Sequence, residues 1–129
     1  MSKFKIALSV IFITVLVGCK STVPLRNFEN QSIAQYSNTP STNKSVEKSI
    51  LRAAVSLGWK TKVTSENEVV ATLDIRTHQL VVLIKHDDKS FSIEYKDSTN
   101  LKYNGHKIHR QYINWVTNLI RSINAQNIS

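Results

Sequence analysis

The chain has 129 residues, with 17 Lys and Arg against 9 Asp and Glu, one cysteine and a formal net charge of +8. That length fits one small domain and leaves no room for a second core. A single thiol excludes an internal disulfide, and three scattered glycines exclude a Gly-rich phosphate-binding loop.

The chain opens on an address. Lys3 and Lys5 form a basic n-region, Ile6 to Val17 an apolar run of 12 residues, and Leu16-Val17-Gly18-Cys19 closes it. A spanning helix needs about 20 apolar residues, so the run reads as a cleavable signal over 1–18 rather than a transmembrane anchor. The closing stretch resembles the lipobox of bacterial lipoproteins. That resemblance implies a diacylglyceryl thioether on Cys19 and an acylated amine, and two or more acyl chains hold a protein stably on a membrane. This covalent lipid is the one attached group expected, with no cofactor and no metal. In the lipoprotein pattern an Asp after the cysteine signals inner-membrane retention; Lys20 stands there instead, which implies the outer membrane, facing the periplasm. Loss of Lys3 and Lys5 lowers the charge from +8 to +6. An exported basic domain expects an anionic envelope component as its neighbour, whether phosphate-bearing lipid headgroups, acidic glycans or an acidic envelope protein, and no nucleic acid.

From 19 to 41 the sequence turns to Ser, Thr, Asn and Gln with Pro24 and Pro40, and no helical or strand period survives for long. The expectation is a lipidated cysteine and a flexible tether, whose coil of about 22 residues would span roughly 25 Å. Leu25, Phe28, Ile33 and Tyr36 interrupt its polarity and are the residues by which it could dock.

A single folded domain is expected over 42–129. Thr42 is a good N-cap after Pro40, and Val46, Ile50, Ala54 and Leu57, with Leu51 beside them, share one helical face. Gly58 ends the helix as a C′ residue, and Trp59 folds back as a core anchor. The period then changes to 2. Trp59, Thr61 and Val63 oppose Lys60, Lys62 and Thr64; after a turn, Val69, Ala71, Leu73 and Ile75 oppose Val70, Thr72, Asp74 and Arg76. Thr77-His78-Gln79 reverses the chain into an apolar central strand over 80–86. Asp87-Asp88-Lys89 makes a hairpin, and Phe91, Ile93 and Tyr95 then oppose Ser92, Glu94 and Lys96. A loop over 97–105 precedes a last helix with a stripe of Ile108, Tyr112, Trp115, Leu119 and Ile123. The pattern predicts a two-layer α+β domain, α-β-β-β-β-α, with a four-stranded antiparallel meander and both helices on one face. Trp59 and Trp115 are its expected largest core side chains.

Three groups of residues could carry function. On the face away from the helices, Val70, Val81 and Leu83 lie among Thr72, Arg76, Lys60, Lys62, Lys85 and Lys96, an apolar centre with a basic rim that suits a partner, unless the tether, a terminus or a second copy covers it. Of the histidines, His106 and His109 are three apart and His78 and His86 flank hairpin loops. Zinc asks for three or four converging ligands at fixed spacing, which this chain does not offer. The polar stretch Ser98 to Tyr103, running on to His109, could form a small site. A Ser98–His109–Asp97 arrangement can be drawn, but adjacent Asp97 and Ser98 side chains diverge and no elbow glycines flank the serine, so a non-enzymatic role is expected.

Gly58-Trp59, Ala71 to His78, Tyr95 to Tyr103 and Ile108 to Val116, together with the lipobox, are the motifs by which the chain resembles a group of small proteobacterial lipoproteins of unknown function. The resemblance runs from the signal to the last helix, leaving out the tether. It implies the anchor and the single domain and supplies no catalytic residue, and it directs attention to Arg76, His78, Ser98, Asn100, Tyr103 and His109. The expected function is a periplasm-facing binding or envelope-assembly module with an envelope protein as partner. A small-ligand or glycan binder using the polar loop residues is the alternative, and a hydrolase comes after it.

Overall fold

The computed structural model describes residues 21–33 and 39–126. The signal segment, the lipid attachment expected on Cys19, Lys20 and Tyr36 lie outside the described residues. Helix α1 (Asn43–Ser56) begins where the sequence places it, with Thr42 and Ser45 forming a capping box in which each side chain bonds the other's backbone N–H at 3.0 and 2.8 Å. It ends in a Schellman motif: Gly58, at φ 91, donates to the carbonyl of Val55, and Trp59 donates to Ala54. The left-handed turn drives Trp59 into the core. Leu57, at the cap itself, is carried outward and stays 41% exposed, against the stripe read from spacing.

Strands β3 (Lys60–Ser65), β4 (Glu68–Ile75), β5 (His78–His86) and β6 (Ser90–Thr99) follow as consecutive antiparallel neighbours. Alternation puts Val69, Ala71 and Leu73, then Leu80, Val82 and Ile84, then Phe91 and Ile93 on one buried face. There they join Val46, Ile50, Ala53 and Ala54 of α1 and Tyr112, Val116, Leu119 and Ile123 of helix α2 (Gln111–Gln126) in a single core.

The expected four-strand meander is the centre of a larger arrangement. A fifth strand, β2 (Phe28–Ser32), pairs with the outer edge of β6, giving the order β2-β6-β5-β4-β3. A separate two-stranded sheet joins β1 (Thr22–Pro24) to β7 (Lys107–His109), so Ile108 is a buried strand residue and α2 starts after it. Both extra strands on the N-terminal side lie in the stretch whose composition reads as tether. The cause is backbone pairing: a ten-residue β6 presents an edge of N–H and C=O groups that any segment can satisfy, whatever its side chains. Phe28 and Ile33 are each 5% exposed, so the apolar interruptions in the polar stretch are its attachment points. A bulge between Phe28 and Gln31, with Asn30 at φ 49, erases the alternation that would have announced β2. Tyr112 completes the attachment. Its hydroxyl donates to the Arg26 carbonyl at 2.7 Å, and burial pushes the phenol pKa up to about 12, so it remains a donor. Trp115 is only half-buried, and Tyr112 and Phe91 lead the fully buried side chains.

His86 is the core's anomaly. It is 5% exposed on the helix side of β5, and neither ring nitrogen has a hydrogen-bond partner among the described residues. Burial holds its pKa below 6.5, with the Glu47 carboxylate pulling the other way. The unfolded chain therefore takes up the proton first, so this contribution to stability is complete above the ordinary histidine pKa and is lost as pH falls below it. Replacing His86 with Leu should raise stability at pH 7 by about 1 kcal/mol and flatten the fall in urea midpoint towards pH 5.5. Phe28→Ala should cost about 3 kcal/mol in urea unfolding if β2 is integral, whereas a detached tether would make it neutral.

Candidate functional site

The site region begins with a bulge in β6. Val82 pairs with Tyr95 but Val81 pairs with Asp97, leaving Lys96 as the extra residue. Residues three apart on a regular strand face opposite ways; the bulge brings Tyr95 and Ser98 to the same side, where their hydroxyls meet at 2.7 Å. Tyr103 packs on Tyr95 with ring centroids 4.5 Å apart, and a concavity of about 500 Å³ forms against Lys96, Asp97, Ser98, Asn100 and Lys102.

Asn100 separates this concavity from a second. At φ 58 it occupies left-handed space that asparagine tolerates better than most residues, and its amide donates to Thr77 Oγ1 at 2.7 Å. Its carbonyl lies 2.6 Å from His78 Nδ1. A carbonyl oxygen only accepts, so His78 Nδ1 is the donor in this bond. The second concavity, about 350 Å³, is lined by Ile75, Arg76, His78, Leu101, His109, Gln111 and Trp115. The His78 ring lies 6.2 Å from that of His109 and 6.4 Å from that of Trp115. His109 Nδ1 accepts the Gln111 N–H at 3.1 Å, so its neutral ring carries the proton on Nε2. Burial first, then Lys102, His78 and Arg110, hold its pKa below 6.5. Two imidazoles, a guanidinium and an indole suit a small polar or anionic group. Arg76 and Lys102 also sit at positive φ, 56 and 55, so three non-glycine residues hold left-handed conformations around these two hollows.

Of the residues singled out by motif, Arg76, His78 and His109 converge on the smaller hollow, Ser98 and Tyr103 line the larger, and Asn100 bonds across the divide. Ser98 engages Tyr95, and Asp97 Oδ1 accepts the Ser98 backbone N–H, so Asp97, Ser98 and His109 form no relay. Among the described residues no group of three or more His, Cys, Asp and Glu is placed to hold a metal ion. Spacing missed Tyr95, Gln111 and Trp115: Tyr95 and Trp115 look like core positions by period, and only the bulge and the late start of α2 bring them to a rim.

The sheet's other face borders the larger hollow at Asp97, the cross-strand partner of Val81. Val70 pairs with Leu83 and Thr72 with Val81, all half-buried, while both helices lie on the opposite side. Lys85 bridges to Glu94 at 3.5 Å and Lys60 to Asp74 at 3.6 Å. Such exposed pairs contribute at most about 1 kcal/mol each, so they mark a charged border more than a source of stability. Comparison with protein-family models, curated proteins and solved structures returns no match. Because Asn100 combines a left-handed backbone with a side-chain bond, Asn100→Ala should lose about 2 kcal/mol and Asn100→Gly about 1 kcal/mol in thermal unfolding; equal losses would refute the backbone contribution.

Proposed function

We propose that the protein is a lipid-anchored lipoprotein of the outer membrane, facing the periplasm, whose α+β domain is a non-enzymatic binding module for an envelope protein. The anchor rests on the lipobox, in register behind a basic n-region and an apolar run too short to span. The binding role is carried by the uncovered sheet face, where Val70, Val81 and Leu83 form a half-buried apolar centre bordered by Lys60–Asp74, Lys85–Glu94 and exposed Lys62. An apolar centre inside a charged border has the anatomy of a protein interface. The strands are tightly paired, so this face is rigid and can bind without ordering a loop first.

A small anionic ligand or glycan in the hollow of Arg76, His78 and His109 is a second reading, favoured by the convergence of these three side chains on about 350 Å³. It is compatible with the first, since the hollow and the sheet face are different surfaces.

Cys19→Ala should abolish fatty-acid labelling and either release the protein from membranes or leave it unprocessed; a cleaved, membrane-bound product would sink the anchor. A photoreactive residue at Val81 or Leu83 in cells should trap one discrete partner, and background labelling at both would remove the sheet-face interface.

A further inference from the structure

The anchor reading acquires a geometric consequence once the strands before α1 are taken into account. Ser21 is fixed to the domain: its carbonyl accepts the Arg110 N–H at 2.9 Å, its hydroxyl accepts from Lys102 Nζ at 3.2 Å, and the next residue, Thr22, pairs with His109. Two peptide steps separate Ser21 from Cys19, a reach of at most about 7 Å. A lipid on Cys19 therefore cannot hold this domain at the distance of a long tether, and whatever surface surrounds Ser21 meets the headgroups.

That surface is cationic. From Ser98 to Ser129 the sequence contains no Asp or Glu but has Lys102, Lys107, Arg110 and Arg121, and Lys20 and Arg26 precede the first acid of the mature chain, Glu29. Arg26, Lys102, Lys107 and Arg110 are exposed, and the three ion pairs among the described residues use Lys44, Lys60 and Lys85 instead. Tyr103, 41% exposed beside Lys102, adds an amphipathic ring of the kind that settles at headgroup level. The opposite end is mixed in sign. Strand β5 covers about 26 Å from His78 to His86, and at its far end Glu66, Glu68, Asp87 and Asp88 are interleaved with Lys85 and Lys89. With a screening length of about 8–10 Å, the cations within reach of Cys19 interact with a surface there while the distant acids do not oppose them.

We infer that the β1–β7 end of the domain is a membrane-docking surface that binds the phosphates of anionic phospholipid headgroups and stands the sheet upright on the bilayer. This inference rests on the lipidation of Cys19. Each Lys or Arg near an anionic surface strengthens association roughly fivefold, so Arg26, Lys102, Lys107 and Arg110 together turn a passive anchor into an oriented one. The same orientation leaves the apolar sheet face open sideways to a partner and brings the hollow of Arg76, His78 and His109 close to the lipid surface.

The test uses the full acylated chain purified from its own membranes. Acylation blocks Cys19, so His106→Cys and Asp88→Cys each introduce one free thiol, at the docking end and the far end, for an environment-sensitive fluorophore. Each is reconstituted into vesicles of phosphatidylcholine alone or with about one-third phosphatidylglycerol, containing headgroup spin-labelled lipid as quencher. The expected result is quenching several-fold stronger at position 106 than at 88 in the anionic vesicles. It should fall in phosphatidylcholine, at about 0.5 M salt, and in the Lys102→Gln/Lys107→Gln/Arg110→Gln variant. Equal quenching at the two positions overturns the inference. So does quenching at position 106 that ignores lipid charge and salt, a result that needs no variant to fold. Wild-type protein that takes up the thiol label would instead overturn the anchor reading, and the docking with it.

Discussion

Strand β6 is hydrogen-bonded on both edges, and the form of the molecule depends on that. Its inner edge pairs with β5 and its outer edge with β2. The second pairing draws the chain before α1 back across the domain, placing Phe28 and Ile33 in the core and the Arg26 carbonyl under Tyr112. Without it, residues 21–33 would be a polar connection and β6 an open template for pairing with another chain. With it, the N-terminal side of the chain becomes part of the fold from Ser21 onward.

The same strand builds the candidate site. The extra residue at Lys96 turns Tyr95 and Ser98 to one side, and the segment that follows crosses to β7 through left-handed residues at Asn100 and Lys102. Strained backbone of this kind persists only where its surroundings over-determine it, and here the bonds from His78 and to Thr77 do so. The outcome is two hollows back to back, one lined by tyrosines and the other by histidines, an arginine and an indole. Burial, and then the cations around His109, favour its neutral form, which also preserves the bond from Gln111.

Charge is distributed along the strands rather than across the sheet. Exposed cations gather where β1 and β7 meet, whereas at the turns before β4 and after β5 acids and lysines are interleaved. A net charge of +8 says only that an anionic neighbour is favoured. What the fold adds is the gathering of exposed Arg26, Lys102, Lys107 and Arg110 around the β1–β7 pair, which concentrates positive charge at one end of the domain.

Local signals were legible in the sequence because they act over a few residues. The N-cap at Thr42, the Gly58 stop, the period of 2 from Lys60 to Lys96 and the stripe from Tyr112 to Ile123 are each decided by near neighbours, and together they determined the α+β class and most of the core. Tertiary structure decided the rest, because backbone pairing is blind to side-chain pattern. Phe28-Glu29-Asn30-Gln31-Ser32 becomes a strand only because β6 has an unsatisfied edge, and Ile108 belongs to β7 rather than α2 only because Thr22 to Pro24 return to pair beside it. Motif reading found Arg76, His78 and His109 as separate residues, but their meeting around Trp115 depends on a bulge at Lys96 and a turn at Asn100, irregularities that cancel the very periodicities a sequence reveals.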